Sequence, residues 1–231
     1  MKNPSSTVRA LFASLVTILF FVSVCSGQEL SKYRGFQLGS TRDSVLATIG
    51  MKPSDVRIMH TQPAVLEELE WTPQRSSVQT IGESLRQIRF SFLNGELYKM
   101  VVGYDYLQTE GLTTEDVIDA VSSQFGKATV SDATTMVSVS SSVFDDQQKV
   151  LALWEDSDYS YSLFRSYVGS FGLVIVAKQR NSAANTAAAE AVIRERLEAP
   201  QKELDRRAQA DQERLASQEK ARLVNKPKFR P

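Results

Sequence analysis

Asn94-Gly95 joins two apolar runs, Ile88 to Leu93 and Leu97 to Val102. Both residues of an Asn-Gly pair tolerate positive φ, as a two-residue hairpin turn with the right twist demands, so the pair fixes an antiparallel hairpin. In the first run Ile88, Phe90 and Phe92 alternate with Arg89 and Ser91. One face of the hairpin is therefore apolar, and the rest of the chain must supply its cover.

Two segments suit that task. Leu112 to Gly126 reads as a helix: Thr113 caps it, Asp116 follows three residues on, Val117, Ile118, Val121 and Phe125 keep a 3.6-residue spacing, and Gly126 ends it. Ser40 to Gly50 is a weaker copy, with Ser40 or Thr41 as cap, Val45, Leu46 and Ile49 as the stripe and Gly50 as the stop. A second set of strands is expected between Lys149 and Lys178. Val150 to Trp154 is one, and Tyr159, Tyr161 and Leu163 alternate with serines in the next. After a turn at Gly169-Ser170, Phe171 to Ala177 is nearly all apolar, the pattern of a central strand.

These pieces recur. Gly39-Ser-Thr-Arg-Asp-Ser-Val45-Leu46 aligns with Gly111-Leu-Thr-Thr-Glu-Asp-Val117-Ile118, and each helix leads, after a loop, to a strand bearing Trp71 or Trp154 and then a hairpin. Leu66 to Trp71 taken alone suits a short helix or a strand; the recurrence favours the strand. The expected fold is α+β: two helix-plus-three-strand units, about 36–105 and 111–178, forming an antiparallel sheet with helices on one face, because neither unit can cover its sheet face alone. Gln74 to Ser84 reads as a surface loop, and Ala128 to Ser142 as an irregular loop or edge strand.

The chain opens with Lys2 and Arg9, an apolar run from Ala10 to Val24, and small residues Cys25, Ser26 and Gly27. That order is the pattern of a secretory signal, cleaved after Gly27 or Ser26. The run is shorter than the roughly 20 residues that span a bilayer. An uncleaved anchor, or lipidation at Cys25, are the alternatives. Cys25 is the only cysteine, so a mature chain from residue 28 has neither disulfide nor thiolate. Export to the periplasm or the medium, with no stable transmembrane span after signal removal, is the expectation.

Residues 28–185 hold 14 Lys+Arg and 19 Asp+Glu, net −5; residues 186–231 hold 11 and 8, net +3. An acidic body with a mildly basic tail lacks the concentrated basic face of a nucleic-acid reader. The tail, 181–231, is first Ala-rich and then rich in Glu, Arg, Lys and Gln. Pairs such as Glu190/Arg194, Glu198/Lys202 and Glu203/Arg207 support a helix, with Pro200 expected to kink or divide it. Leu197, Leu204 and Leu215 are too sparse for a heptad seam. The tail reads as an exposed helix or a partner-docking one, with a disordered end from Asn225.

No motif carries catalysis. His60 is the only histidine, in a segment read as a loop, and cannot build a zinc site without cysteines. No Gly-x-Ser-x-Gly elbow surrounds a serine. Glu67, Glu68 and Glu70 alternate around Leu69 as a half-buried strand would, and Asp156-x-Asp158 lacks the rest of a calcium loop. No catalytic residue, cofactor or metal site is assigned. Aromatic rings are enriched at interfaces, so Tyr98, Tyr104, Tyr159 and Tyr161 are the candidate protein-binding residues, the latter two on an exposed or groove-facing side.

The stretch Gly39-Ser-Thr-Arg-Asp-Ser-Val-Leu-Ala-Thr-Ile-Gly50, then Trp71, then Ile88-Arg-Phe-Ser-Phe-Leu-Asn-Gly-Glu-Leu97 resembles the SmpA/OmlA (BamE-like) module. Two copies in tandem are also similar to the β-lactamase-inhibitor-protein architecture. The likeness covers roughly Phe36 to Val176. It implies a non-enzymatic envelope or secreted module that binds another envelope or secreted protein. An inhibitor of an exported hydrolase and a carboxylate-dependent hydrolase are the alternatives. The chain departs from the outer-membrane-assembly members in lacking a good lipidation box.

Overall fold

The computed structural model describes residues 29–73, 84–130, 135–139, 146–228 and 230. The segment 1–27 read as a signal and most of the loop expected at Gln74 to Ser84 lie outside the described residues. The chain is α+β, an antiparallel sheet with helices and a long C-terminal helix. The strands are β1 (Lys32–Tyr33), β2 (Phe36–Gln37), β3 (Arg57–His60), β4 (Leu66–Trp71), β5 (Leu85–Leu93), β6 (Glu96–Tyr104), β7 (Thr129–Val130), β8 (Met136–Ser138), β9 (Gln147–Glu155), β10 (Tyr159–Arg165) and β11 (Phe171–Ala177). The helices are α1 (Arg42–Ile49), α2 (Tyr106–Thr109), α3 (Thr114–Phe125) and α4 (Lys178–Asn225).

Apart from the β1–β2 hairpin, the strands form one sheet in the order β3-β4-β5-β6-β11-β10-β9-β7, and β8 pairs with the far end of β9. Every pairing is antiparallel. The strands β4-β5-β6 and β9-β10-β11 meet through β6 and β11 at the middle. Asn94 and Gly95 turn the β5–β6 hairpin with φ of 51° and 80°. His60 falls in strand β3 rather than in a loop, opposite Leu66 of β4, because Arg57 and Ile58 pair with Glu68 and Glu67 and extend the chain there.

Register separates the two faces. Leu69, Phe90, Met100, Ile175, Tyr161 and Trp154 stand side by side across β4, β5, β6, β11, β10 and β9. All are buried, together with Val45 and Leu46 of α1 and Val117, Val121 and Phe125 of α3. The caps are those the sequence announces. Thr41 accepts from the Ser44 N–H and Gly50 closes α1 in the left-handed region, while Thr113 and Asp116 form a reciprocal capping box on α3. The β1–β2 hairpin, not anticipated, adds Tyr33 and Phe36 to this core. Phe36 meets Trp71 and Phe90 edge to face, with centroids 6.0 and 4.8 Å apart. The Trp154 Nε1–H donates to the Gly126 carbonyl at 2.9 Å, so the second tryptophan also satisfies the C-terminal end of α3.

The other face is covered at one end by α4. Strand alternation puts Leu66 and Leu93 on this side, and Ala184, Ala187 and Ala188 pack there with Leu66 and Tyr98. Alanines allow that close approach at no rotamer cost. Three polar ties reinforce it: Arg180 to Glu96, Arg194 to the Gln62 amide at 3.0 Å, and His60 Nδ1 to Glu195 at 3.1 Å. The Ala-rich start of the tail is thus part of the body. Pro200 does not divide the helix, which runs unbroken through it. The Glu198–Lys202 ion pair spans Pro200, and Glu203 with Arg206 and Arg207 holds the turns that follow.

Candidate protein-binding face

At the end of this second face away from α4 the described residues leave the sheet open. Gly103 and Gly172 oppose one another on β6 and β11, roughly 16 Å along β6 from the Tyr98 contact with α4. Neither presents a side chain, and the Phe164 ring lies where a Gly172 Cβ would project. Around them is a cleft of about 310 Å³ lined by Arg86, Gln87 and Arg89 of β5, Asp146 and Gln148 at β9, and Tyr167 and Val168 of the β10–β11 turn. Its floor is apolar, with Phe164 and Val174 packed under Val139.

The polar groups are held in place. The Arg89 guanidinium donates to the Val139 carbonyl at 3.1 Å and lies 3.7 Å from Glu70. The Gln148 amide donates to Asp146 at 2.8 Å, and the Ser166 and Ser170 hydroxyls are 2.9 Å apart. Arg86 is exposed and makes no ion pair with another described residue. Among the described residues lining the cleft, the charged groups are Arg86, Arg89 and Asp146.

The rim is apolar and bare. Tyr167 is 85 % exposed and Val168 73 %, and the neighbouring α2 segment shows Leu107 at 72 % and Tyr106 at 48 %. The Tyr106 ring lies beside Gly169, so α2 and the β10–β11 turn form one surface. Large apolar side chains contiguous at a cleft mouth are the usual mark of an interaction site.

Of the tyrosines expected to bind, Tyr104 lines this cleft and Tyr98, Tyr159 and Tyr161 lie elsewhere. Tyr161 is fully buried, its hydroxyl donating to the Lys32 carbonyl at 2.5 Å and its ring 4.5 Å from Phe125. Burial pushes its phenol well above the ordinary range, with Tyr33 nearby adding to the shift. Tyr98 is buried beneath α4. The Tyr104 hydroxyl is enclosed against that of Tyr33 at 3.2 Å, and burial, then Tyr33, raise its phenol strongly. Tyr159 is half-buried against the main core. Alternation with serine is the reason Tyr159 and Tyr161 mislead: Ser160 and Ser162 occupy the second face and are themselves buried, so these two tyrosines point to the helix-covered core. The exposed tyrosines are Tyr106 and Tyr167, and their signal is positional, an aromatic residue beside a turn glycine and another just after the Asp105 cap.

No family model matches the chain, and no curated protein or solved structure is significantly similar to it.

Among the described residues no group of three or more metal-ligating side chains converges, and no helix is long and apolar enough to cross a membrane. Glu67 is buried on the core face with Arg42 at 2.8 Å, a pairing that ties α1 to β4.

Proposed function

We propose that this chain is an exported, non-enzymatic protein-binding module that grips a segment of another envelope or secreted protein at the open cleft. The observation that carries the reading is the exposed apolar rim of Tyr167, Val168, Tyr106 and Leu107 beside two arginines. Such a surface suits an extended segment with an apolar anchor and an acidic group. The likeness of the Gly39–Leu97 stretch to SmpA/OmlA modules supports the same class, and the signal-like N-terminus supports export. Carboxylate hydrolysis needs two acids across a cleft. Asp146 is the one acid among the described residues lining this cleft, and it is bonded to Gln148. The Tyr167 ring, at the tip of a hairpin turn, also has the form that fills a partner's pocket, which keeps inhibition of an exported hydrolase as the second reading.

Cross-linking capture of the mature chain, Gln28 to Pro231, from the envelope and medium of its own source tests this. A Tyr167→Ser/Val168→Ser variant, an Arg86→Glu variant and a chain lacking Ile193 to Pro231 run in parallel. The expected result is one dominant partner, kept without the tail and lost with either cleft variant. A partner indifferent to both cleft variants would refute the assignment of this face.

A further inference from the structure

Helix α4 leaves the body after Ala191, its last buried residue, and from Ile193 to Asn225 every residue but the half-buried Glu203 is exposed. That stretch is about 50 Å long at 1.5 Å per residue. Charge is not spread evenly along it. From Ile193 to Glu219 acids and bases are interleaved, and many pair, as in Glu198–Lys202, Glu203 with Arg206 and Arg207, and Asp211–Arg214. From Lys220 onward the acids stop. Residues 220–231 hold five cations, Lys220, Arg222, Lys226, Lys228 and Arg230, and no Asp or Glu. Residues 28–219 hold 20 Lys+Arg and 27 Asp+Glu, net −7.

Helix chemistry uses only part of that positive charge. Arg222 pairs with Glu219 at 2.7 Å. The carbonyl end of a helix carries about half a negative charge, which a single cation more than offsets. Lys220, Lys226, Lys228 and Arg230 are exposed and make no ion pair with another described residue. Helix length keeps them available. Lys220 lies about 44 Å along the axis from Ala191. The Debye length at physiological salt is about 8 Å, so the field of the acidic body is screened out over that distance.

The apolar neighbours choose among anionic partners. Leu223 is 62 % exposed and Val224 49 %. At 100° per residue they stand about 60° and 40° to either side of Lys220. A bilayer interface takes up such side chains beneath its charged headgroups, whereas a soluble polyanion leaves them in water. No helix among the described residues is long and apolar enough to cross a membrane, so this is the chemistry of a surface contact and not of a span.

We propose that the far end of α4, Lys220 to Lys228 with Arg230, docks on a bilayer surface rich in anionic lipid, the helix holding the body and its cleft off that surface. The inference is independent of what the cleft binds.

Co-sedimentation of residues 28–231 with vesicles of phosphatidylcholine, alone or with about one-third phosphatidylglycerol, at about 0.05 M and about 0.5 M salt tests it. The expected result is binding to the anionic vesicles that falls steeply with salt, and none to the neutral ones. Each cation near an anionic surface is worth about a fivefold change in partition. Lys226→Gln/Lys228→Gln should therefore weaken binding by about tenfold or more, while Arg206→Gln/Arg207→Gln, the same change in net charge, should leave it within about twofold. Leu223→Ser/Val224→Ser should weaken it by about tenfold through the lost apolar contact. Circular dichroism confirms that every variant keeps the body and the helix. No binding to the anionic vesicles, equal binding to the neutral ones, or equal loss in the two glutamine variants overturns the proposal. Unchanged binding of Leu223→Ser/Val224→Ser overturns it too, as does binding of dextran sulfate without binding of anionic vesicles, which would make a soluble polyanion the partner.

Discussion

Tyr161→Phe separates a core tyrosine from a binding one. The ring stays against Phe125 and Tyr33, at centroid distances of 4.5 and 6.5 Å, so the packing term is kept and only the hydroxyl is lost. That hydroxyl gives the Lys32 carbonyl a bond of 2.5 Å which ties the β1–β2 hairpin to β10. Losing a partly buried hydrogen bond costs about 1–2 kcal/mol. For a chain of this size that is a fall in Tm of about 2–8 °C, at about 2–4 °C per kcal/mol. Tyr161→Ala would lose the ring as well, at about 3–5 kcal/mol. The phenol adds a pH arm. Its folded value is raised above that of the unfolded chain, so the protonated form is favoured by folding. The stability this confers is whole below about pH 10, the ordinary tyrosine value, and is lost as pH rises through the folded value. Calorimetry of residues 28–231 at about pH 7 and about pH 11 should show the wild type losing more Tm between them than Tyr161→Phe does. A Tm at neutral pH within about 1 °C of wild type, with partner capture abolished, would show that the hydroxyl faces a ligand and refute the assignment to the core.

Gly172→Ala should cost more than about 2 kcal/mol in urea unfolding, since its Cβ would meet the Phe164 ring and lie 2.7 Å from the Val102 carbonyl; trimming Phe164 to Leu should recover part of the loss, not all. Thr113→Ala removes one half of the α3 capping box and should cost about 1 kcal/mol by the same measurement. The Asp116 carboxyl is held below its ordinary range by bonds to Thr113, so the stability it confers is present above the unfolded carboxylate value and is lost as pH falls through the folded one; Thr113→Ala should shrink that acid-side loss. Ala184→Arg places a long side chain where α4 meets Leu66 and Tyr98, and hydrogen exchange should show β3, β4 and the first turns of α4 losing protection while β9 to β11 keep theirs.

Local grammar was legible wherever a residue type had a single physical use. Asn94-Gly95, Thr41 with Gly50, and Thr113 with Asp116 and Gly126 each mark a turn or helix end, and each stands where the residues put it. The apolar run of β11 announced a central strand because no polar face interrupts it. What stayed hidden depends on the second face of the sheet. Serine at 160 and 162 reads as solvent, yet β8, Val139 and α4 leave that face only partly open, so period-2 alternation assigned the tyrosines to the wrong side. The β1–β2 hairpin escaped because two-residue strands have no period to detect. Tyr167-Val168 escaped because apolar residues in a turn carry meaning only once the cleft beside them is known.

The two ends of the second face bear on one another. Covering all of it would give a closed three-layer protein; α4 covers only the end where Ala184, Ala187 and Ala188 sit, then departs. The Tyr98 contact with α4 lies roughly 16 Å along β6 from the Gly103–Gly172 pair, so the helix and the cleft use separate stretches of one face. A chain lacking Ile193 to Pro231 should therefore keep the described lining of the cleft and with it the captured partner. Loss of the partner on that cut alone, with the body still folded, would place the interface on the tail.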